Sequence, residues 1–360
     1  MSDCSSLHEM LSHALNLAQR GDYRKGREIA TRIREEWRTE DSVEVTADLM
    51  LVDAICLSYS GDPDAALDRL SRAILLASIS RSNHRIHLTY SWLATVSFNL
   101  GGLEKAVEFL ALAAKYVQGV GSTAIFRSAT TVAVLLQFCG FDAEALLWFR
   151  FAQRAASTFG HSGLMSHLLY NMAAARVASR LFERSSGVAH QSGSLLSLLA
   201  VKSSINFDQI SGVHVQSSLH PLVQAQALGL EGDFLRAFDV IDKFLVCHDE
   251  MIPKVVVQAQ FEKVYILENL GASVPVEEIL LLEQRISDLT CGDDLARAYT
   301  ILQLSYKRLK MVADDQRCGE LAGRHCAAHK TRCSLIVEGL RCASLLEIPQ
   351  HWWDVLKVNS

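Results

Sequence analysis

Features that mark several common protein classes are absent from this sequence of 360 residues. No apolar run approaches the roughly 18 residues that a membrane-spanning helix needs. The start of the chain has neither the basic residues nor the apolar stretch of a secretory signal. The formal net charge is −5, so the basic excess that favours direct nucleic-acid binding is also absent. The nine cysteines have no regular spacing, which is typical of reduced thiols in the cytoplasm. We therefore expect a cytoplasmic protein that binds neither a membrane nor a nucleic acid.

Signatures of catalysis and of cofactor binding are absent as well. The sequence contains no phosphate-binding loop of the Gly-x-x-x-x-Gly-Lys type. It also contains no Gly-x-Ser-x-Gly elbow for a nucleophilic serine and no His-Glu-x-x-His pair for a metal. We therefore expect no catalytic residue, no cofactor and no enzymatic activity.

A recurrent glycine is the main positive feature. It returns about every 40 residues, at Gly21, Gly61, Gly101 and Gly140 and again at Gly232 and Gly271. In five of these units an alanine stands seven positions earlier, at Ala14, Ala54, Ala94, Ala133 and Ala225. Glycine adopts the left-handed conformation that ends a helix, and a small residue on each side of the turn lets two helices approach closely. Each unit is therefore predicted to be a pair of antiparallel helices.

These positions resemble the tetratricopeptide repeat family. The match is best in Gly21-Asp22-Tyr23 with Ala30 and in Gly232-Asp233-Phe234 with Ala237. The family unit has about 34 residues, so the units here are a longer variant, similar to the helical sensor regions of bacterial regulators. The resemblance implies an all-α fold, a right-handed superhelical solenoid of antiparallel helix pairs. It also implies that the first helix of each pair lines a concave groove for a protein or peptide partner.

The pattern divides the chain into four parts. We expect N-terminal repeats over residues 1–160, C-terminal repeats over 217–346 and a capping tail over 347–360. The pattern blurs over 161–216, which is predicted to be a degenerate repeat; a joint with a hinge at 183–216 is the alternative. In the tail, Trp352 and Trp353 are expected to pack back as a cap, and an exposed aromatic docking tail is the alternative.

The resemblance also indicates which residues would contact a partner in the groove. These positions combine aromatic, amide and basic side chains: Tyr59, Phe98, Asn99, Arg127, Gln137, Phe138, Tyr265 and Asn269. The amides would bond to the backbone of the partner, and the aromatic rings would offer apolar contact. The alternative is that several of them are core residues between tightly wound units.

One segment combines cysteine and histidine at helical spacing. Cys318, His325, His329 and Cys333 fall roughly along one stripe of a single helix. Sulfur and imidazole are zinc ligands, but one helix does not easily surround a tetrahedral ion. Ordinary helix packing is therefore the expectation, and these residues are weak candidates for a metal site.

Three functions are consistent with these patterns. The first is a non-catalytic scaffold or regulator that holds its partner in the concave groove, within a cytoplasmic signalling or assembly complex. The second is a signal-sensing protein that controls a transcription factor or a signalling enzyme in trans. The third, of another class, is a zinc-binding protein or enzyme that uses the helix over 318–333.

Overall fold

The chain is all-helical in the part that the structure describes. The computed structural model describes residues 2–36, 42–158, 162–187, 194–213, 216–246 and 253–358. These residues form seventeen α-helices and one short 3-10 helix, and they contain no strand. The all-α prediction is confirmed. None of the described helices is both long and apolar enough to cross a bilayer.

Short connections join most of the helices. In chain order they are α1 (Ser2–Gln19), α2 (Tyr23–Glu36), α3 (Val43–Tyr59), α4 (Pro63–Ile79), α5 (Asn83–Asn99), α6 (Leu103–Ala114), α7 (Ser122–Phe138), α8 (Asp142–Thr158), α9 (Ser162–Ser185), α10 (Ser194–Ser211), α11 (His220–Glu231), α12 (Phe234–Val246), α13 (Pro253–Leu270), α14 (Val276–Gln284), α15 (Gly292–Arg308), α16 (Val312–Cys342) and α17 (Gln350–Val358). The 3-10 helix follows α14 at Arg285–Asp288.

The recurrent glycines lie in the turns between paired helices, as predicted. All of them have φ between 77° and 88°, at Gly21, Gly61, Gly101, Gly140, Gly232 and Gly271. Glycine enters this left-handed region without the steric cost that a β carbon brings. After two of the turns an aspartate caps the next helix, because Asp62 accepts from the N–H of Ala65 and Asp233 accepts from that of Arg236.

Helices that are adjacent in the sequence form pairs, and the first helices of successive pairs pack side by side. Helix α1 contacts α3, which contacts α5, which contacts α7, which contacts α9. The same order continues through α9, α11, α13 and α15, and α15 returns to contact α9. Small residues permit the close approach within a pair. A β carbon on Gly26 of α2 would lie 3.0 Å from the carbonyl oxygen of Ala14 on α1.

Helix α16 leaves the C-terminal half and packs on the N-terminal half. It is 31 residues long and contacts α6, α7 and α9. The approach to α6 is close at Gly339, where an added β carbon would stand 2.9 Å from Cγ1 of Val107. Arg332 of α16 also pairs with Glu104 of α6 at 2.8 Å. The end of α16 therefore belongs to the same body as α5 to α8.

The residues after α16 extend this contact. The backbone carbonyl of Leu345 accepts a hydrogen bond from the indole of Trp148 on α8, at 3.1 Å. Trp352 of α17 is 0% exposed, and its ring centroid lies 5.2 Å from that of Trp148. Trp353 packs edge-to-face on Phe151 at 4.6 Å.

Three apolar clusters make up the described core. The largest joins α1 to α9 with the end of α16 and α17. The second joins α9 to α13, and the third joins α13 to α16. Of the predicted degenerate repeat or joint over 161–216, residues 161, 188–193 and 214–215 lie outside the described residues. Most of the remainder forms α9 and α10, which pack on each other.

Candidate functional site

Arg127, the basic residue among the predicted groove positions, is buried. It is 2% exposed, and its Nη1 donates to Nε2 of His167 at 2.8 Å. Its guanidinium carbon lies 3.9 Å above the ring of Trp92, within the range of a cation–π contact. Burial and the charge of Arg127 both lower the pKa of His167, so this ring is neutral and can accept. The chain itself therefore holds Arg127, through an aromatic face and a neutral imidazole.

Tyr59, which is half-buried, adjoins Arg127. Its hydroxyl accepts from Nη2 of Arg127 at 3.5 Å, and its ring stacks on Tyr23 at 6.1 Å. A second contact joins the Tyr59 ring edge-to-face to Trp92 at 6.0 Å. Tyr59 and Arg127 therefore meet, as two groove residues would, but they bind each other.

The predicted groove residues at the ends of α5 and α7 form a more accessible group. Phe98 and Phe138 are half-buried and pack edge-to-face with ring centroids 5.9 Å apart. Asn99 follows Phe98 and is exposed, whereas Gln137 is only 6% exposed and donates to an aspartate of α8. The Phe138 ring also lies 4.7 Å from that of His329 on α16. We name Phe98, Asn99 and Phe138 the groove mouth.

The predicted positions on α13 pack elsewhere. Tyr265 packs on the third apolar cluster, whereas Phe98 and Phe138 pack on the first. The guanidinium of Arg297 lies 4.8 Å from the centre of the Tyr265 ring. Arg297 also forms a two-pronged ion pair with the buried Glu262. The amide of Asn269 donates to the backbone carbonyl of Tyr265 at 2.7 Å.

The four candidate ligands on α16 do not converge on one point. His329 Nε2 lies 3.3 Å from the sulfur of Cys333. His325 instead stacks on Tyr299 at 5.4 Å, and Cys318 is buried in the third apolar cluster. The structure therefore brings together two of the four residues.

Two residues from other helices complete a different constellation. Cys139 follows the last residue of α7, and its thiol interacts with that of Cys333, so that each shifts the pKa of the other. The Cys333 sulfur lies 3.8 Å from the carbonyl oxygen of Phe138. Asp293, in the first turn of α15, acts on His329 through its charge, and its Oδ1 is buried without a hydrogen bond to any described residue. We name Cys139, Asp293, His329 and Cys333 the cysteine–histidine cluster.

Electrostatics distinguish the two thiols of this cluster. The hydrogen bond from Cys139 and the hydrogen bond and charge of His329 outweigh burial and lower the pKa of Cys333 to about 5. The same bond, together with burial, raises the pKa of Cys139. Burial alone would lower the pKa of His329, but Cys333 and Asp293 raise it. Burial and the charge of Asp294 raise the pKa of Asp293 to about 7. The arrangement is that of a thiolate between a thiol and an imidazolium.

Sequence reasoning missed Cys139 and Asp293 because they stand on other helices. No spacing within a single segment connects α7 or α15 to α16. The available signal was indirect, since Cys139 directly precedes Gly140 and so had to lie at the tip of a helix pair.

A lysine lies beside three described residues that are close enough together to bind a metal ion. One ligand atom from each of Cys291, Asp293 and Asp294 lies within 4.8 Å of the others. Lys254 Nζ stands 3.3 Å from the Cys291 sulfur and 3.0 Å from a carboxylate oxygen of Asp294. Burial alone would lower the pKa of Lys254, but Asp294 and Cys291 raise it, so the ammonium stays charged. A metal ion would have to displace this cation.

A serine, a histidine and an aspartate meet between α10 and α11. The hydroxyl of Ser204 lies 3.0 Å from Nε2 of His220, and Nδ1 of His220 lies 3.8 Å from Asp208. The second distance exceeds that of a hydrogen bond, and Ser204 is 0% exposed. A substrate could not reach this hydroxyl, so we assign the group to the packing of α10 on α11.

No protein-family model matches this chain, and no curated protein matches it.

Proposed function

We propose that this chain is a cytoplasmic, tetratricopeptide-like protein that binds a protein or peptide partner without catalysing a reaction. In this proposal the helix pairs form a right-handed superhelix. The left-handed glycine in six of the turns and the side-by-side packing of α1, α3, α5, α7 and α9 support it. Such arrays usually work as extended surfaces that hold another molecule.

The main observation in support of this proposal is that the groove mouth is accessible to a partner. Asn99 is exposed, and it follows the half-buried ring of Phe98, which packs on Phe138. An amide next to an aromatic pair suits an extended peptide, because the amide can bond to its backbone while the rings contact an apolar side chain. Arg127 and Gln137 already bond within the chain, so the proposed contact is confined to the mouth.

A photo-crosslinking amino acid in place of Asn99 tests the proposal in the native host. The same substitution at Leu75, an exposed apolar residue of α4, is the matched control. A discrete crosslinked protein at position 99 and none at position 75 is the expected result. The absence of any adduct at 99, or the same adducts at both positions, would refute binding at the groove mouth.

A second control covers the exposed leucines of α10. Leu195, Leu196 and Leu199 are 58%, 56% and 48% exposed, and exposed apolar patches often mark protein contacts. A partner that crosslinks at position 199 but not at 99 would support the proposal that the chain binds a protein and would refute binding at the groove mouth. When the partner is identified, Asn99→Ala should weaken its binding, while Asn269→Ala should leave it unchanged because that amide bonds internally.

A further inference from the structure

Two thiols meet where α16 packs on the end of α7. The Cys333 sulfur lies 3.8 Å from the carbonyl oxygen of Phe138, the residue before Cys139, and the two thiols interact closely enough to shift each other's pKa. Next to Cys333, Arg332 pairs with Glu104 of α6 at 2.8 Å. The contact between α16 and the end of α7 therefore joins two cysteines that are far apart in the chain.

The surroundings of the pair favour a reactive thiolate. His329 stands 3.3 Å from the Cys333 sulfur, and the centroid of its ring lies 4.7 Å from that of Phe138 and 4.0 Å from that of Phe182. Burial opposes an imidazolium at His329, but the Cys333 sulfur and the charge of Asp293 raise its pKa and so favour one. The positive charge of Arg332 also favours the thiolate. The remaining described cysteines lack this combination; Cys342, on the same helix, is exposed and meets a carboxylate instead.

We propose that Cys139 and Cys333 are a reversible oxidation site, at which a peroxide converts the two thiols into a disulfide that ties α16 to the end of α7. Cys333 is the attacking sulfur, and Cys139 is the resolving thiol. Cys139 is partly exposed and Cys333 is 9% exposed, so a molecule as small as hydrogen peroxide reaches them. This inference goes beyond partner binding and does not depend on it.

The reaction balances in two steps. In the first, the Cys333 thiolate attacks one peroxide oxygen, the O–O bond breaks, and a sulfenic acid forms. The departing hydroxide takes the proton of the His329 imidazolium and leaves as water. In the second, the sulfur of Cys139 attacks the sulfenic sulfur, the S–S bond forms, and the Cys139 proton and the sulfenic OH leave as a second water. Two thiols are oxidised and one peroxide is reduced to two waters, and a dithiol reverses the change.

Peptide mapping of the full-length protein tests the pairing. The protein is reduced with a dithiol, freed of it, treated with hydrogen peroxide at pH 7 without denaturant, blocked with N-ethylmaleimide and digested. We expect a linked peptide that contains residues 139 and 333, and its loss after a second dithiol treatment. Cys342→Ser, which removes the exposed cysteine of the same helix, should give the same linked peptide. Oxidation of Cys342 without any 139–333 link, or a disulfide between another pair, overturns the proposal.

Two variants test the separate roles. Cys139→Ser keeps a hydroxyl donor but cannot resolve, so dimedone should trap a sulfenic acid at Cys333. His329→Gln removes the positioning imidazolium. A full return of the pKa of Cys333 to about 8.5 would lower its thiolate fraction at pH 7 from near unity to about 3%, but the hydrogen bond from Cys139 remains, so the peroxide reaction should slow by less than about thirtyfold.

The pH profile separates this role from a merely structural one. Because the Cys333 thiolate is already formed at pH 6, the wild-type rate should change little from pH 6 to pH 8 apart from the titration of Asp293 near pH 7, whereas the His329→Gln rate should rise steeply across that range. Equal rates and equally flat profiles for both proteins, with matching far-UV circular dichroism, would refute the assignment of His329. Absence of the sulfenic adduct in Cys139→Ser would refute Cys333 as the attacking sulfur.

Discussion

Replacement of Trp352 by alanine should destabilise the N-terminal half of the protein, although residue 352 lies on the last described helix. The indole is 0% exposed, and its centroid lies 5.2 Å from that of Trp148 and 5.9 Å from that of His87. Truncation of a fully buried tryptophan removes its transfer free energy and leaves a cavity behind. We therefore expect the free energy of unfolding to fall by about 3–5 kcal/mol.

Urea unfolding followed by far-UV circular dichroism measures the total loss, since removal of an indole changes the fluorescence signal itself. Because separate apolar clusters can open independently, amide hydrogen exchange should be measured by segment. We expect faster exchange in α5, α8 and α17, and unchanged exchange in α11 to α13, which belong to the other clusters. His351→Ala changes the exposed neighbour on α17 and should alter stability by at most about 0.5 kcal/mol.

Two results would refute this reasoning. One is a loss for Trp352→Ala no larger than that for His351→Ala. The other is faster exchange confined to α17, because α17 would then detach without support from α5 or α8. Either result would show that the C-terminal tail lies on the core without contributing to it.

Three further predictions concern a buried histidine, the glycine turns and a buried ion pair. Burial lowers the pKa of His87 to about 4, so its stabilising contribution is present above about pH 6.5 and is lost as pH falls towards 4. Between neutral pH and pH 4.5 the free energy of unfolding of His87→Gln, measured with urea, should fall by about 2.5 kcal/mol less than that of the wild type. The same pH dependence in both proteins would contradict this. Gly140→Ala should lower the free energy of unfolding by about 1–2 kcal/mol because φ at Gly140 is 81°. Gly323→Ala, at an open helical position, should raise it by about 0.5–1 kcal/mol. Stability changes of the same sign in both variants, measured by thermal unfolding, would exclude backbone strain at Gly140. Glu262→Gln should cost about 3–5 kcal/mol because it leaves a partly buried arginine without its counter-charge, whereas the exposed Asp68→Asn should cost under about 1 kcal/mol; equal urea midpoints would refute the difference.

The local part of this fold could be predicted from the sequence. The helix pairs, their glycine turns and the caps at Asp62 and Asp233 depend on neighbouring residues, so a single chain carries their signal. The packing of α16 on α6 and α7 depends on contacts such as Gly339 with Val107. No periodicity connects residues so distant in the chain, and the prediction of a simple succession of C-terminal repeats contained no such contact.

In the candidate site, too, local features could be predicted from the sequence, whereas contacts between distant helices could not. Asn99 is exposed, as a groove residue should be, whereas Arg127 is buried although an arginine normally favours water. Its burial depends on the face of Trp92 and on the neutral ring of His167, and neither partner is a sequence neighbour. On α16, His329 and Cys333 are four positions apart on one helix face, so their contact could be expected from the spacing within a single helix. Cys139 could be added only when α7 and α16 were seen to meet.

If both proposals hold, oxidation and partner binding must influence each other, because the residue before Cys139 is Phe138 of the groove mouth. The disulfide would fix α16 against this ring, so a partner that moves Phe138 should bind the oxidised protein more weakly. Linkage requires that the partner disfavour the disulfide by the same factor. A tenfold loss of affinity on oxidation must therefore appear as a shift of about 30 mV in the reduction potential of the disulfide when the partner is bound. The two quantities can be measured separately, by calorimetric titration of each redox form and by equilibration of the disulfide with a dithiol buffer. An affinity and a potential that both stay unchanged would mean that the peptide contacts Phe98 and Asn99 without moving Phe138.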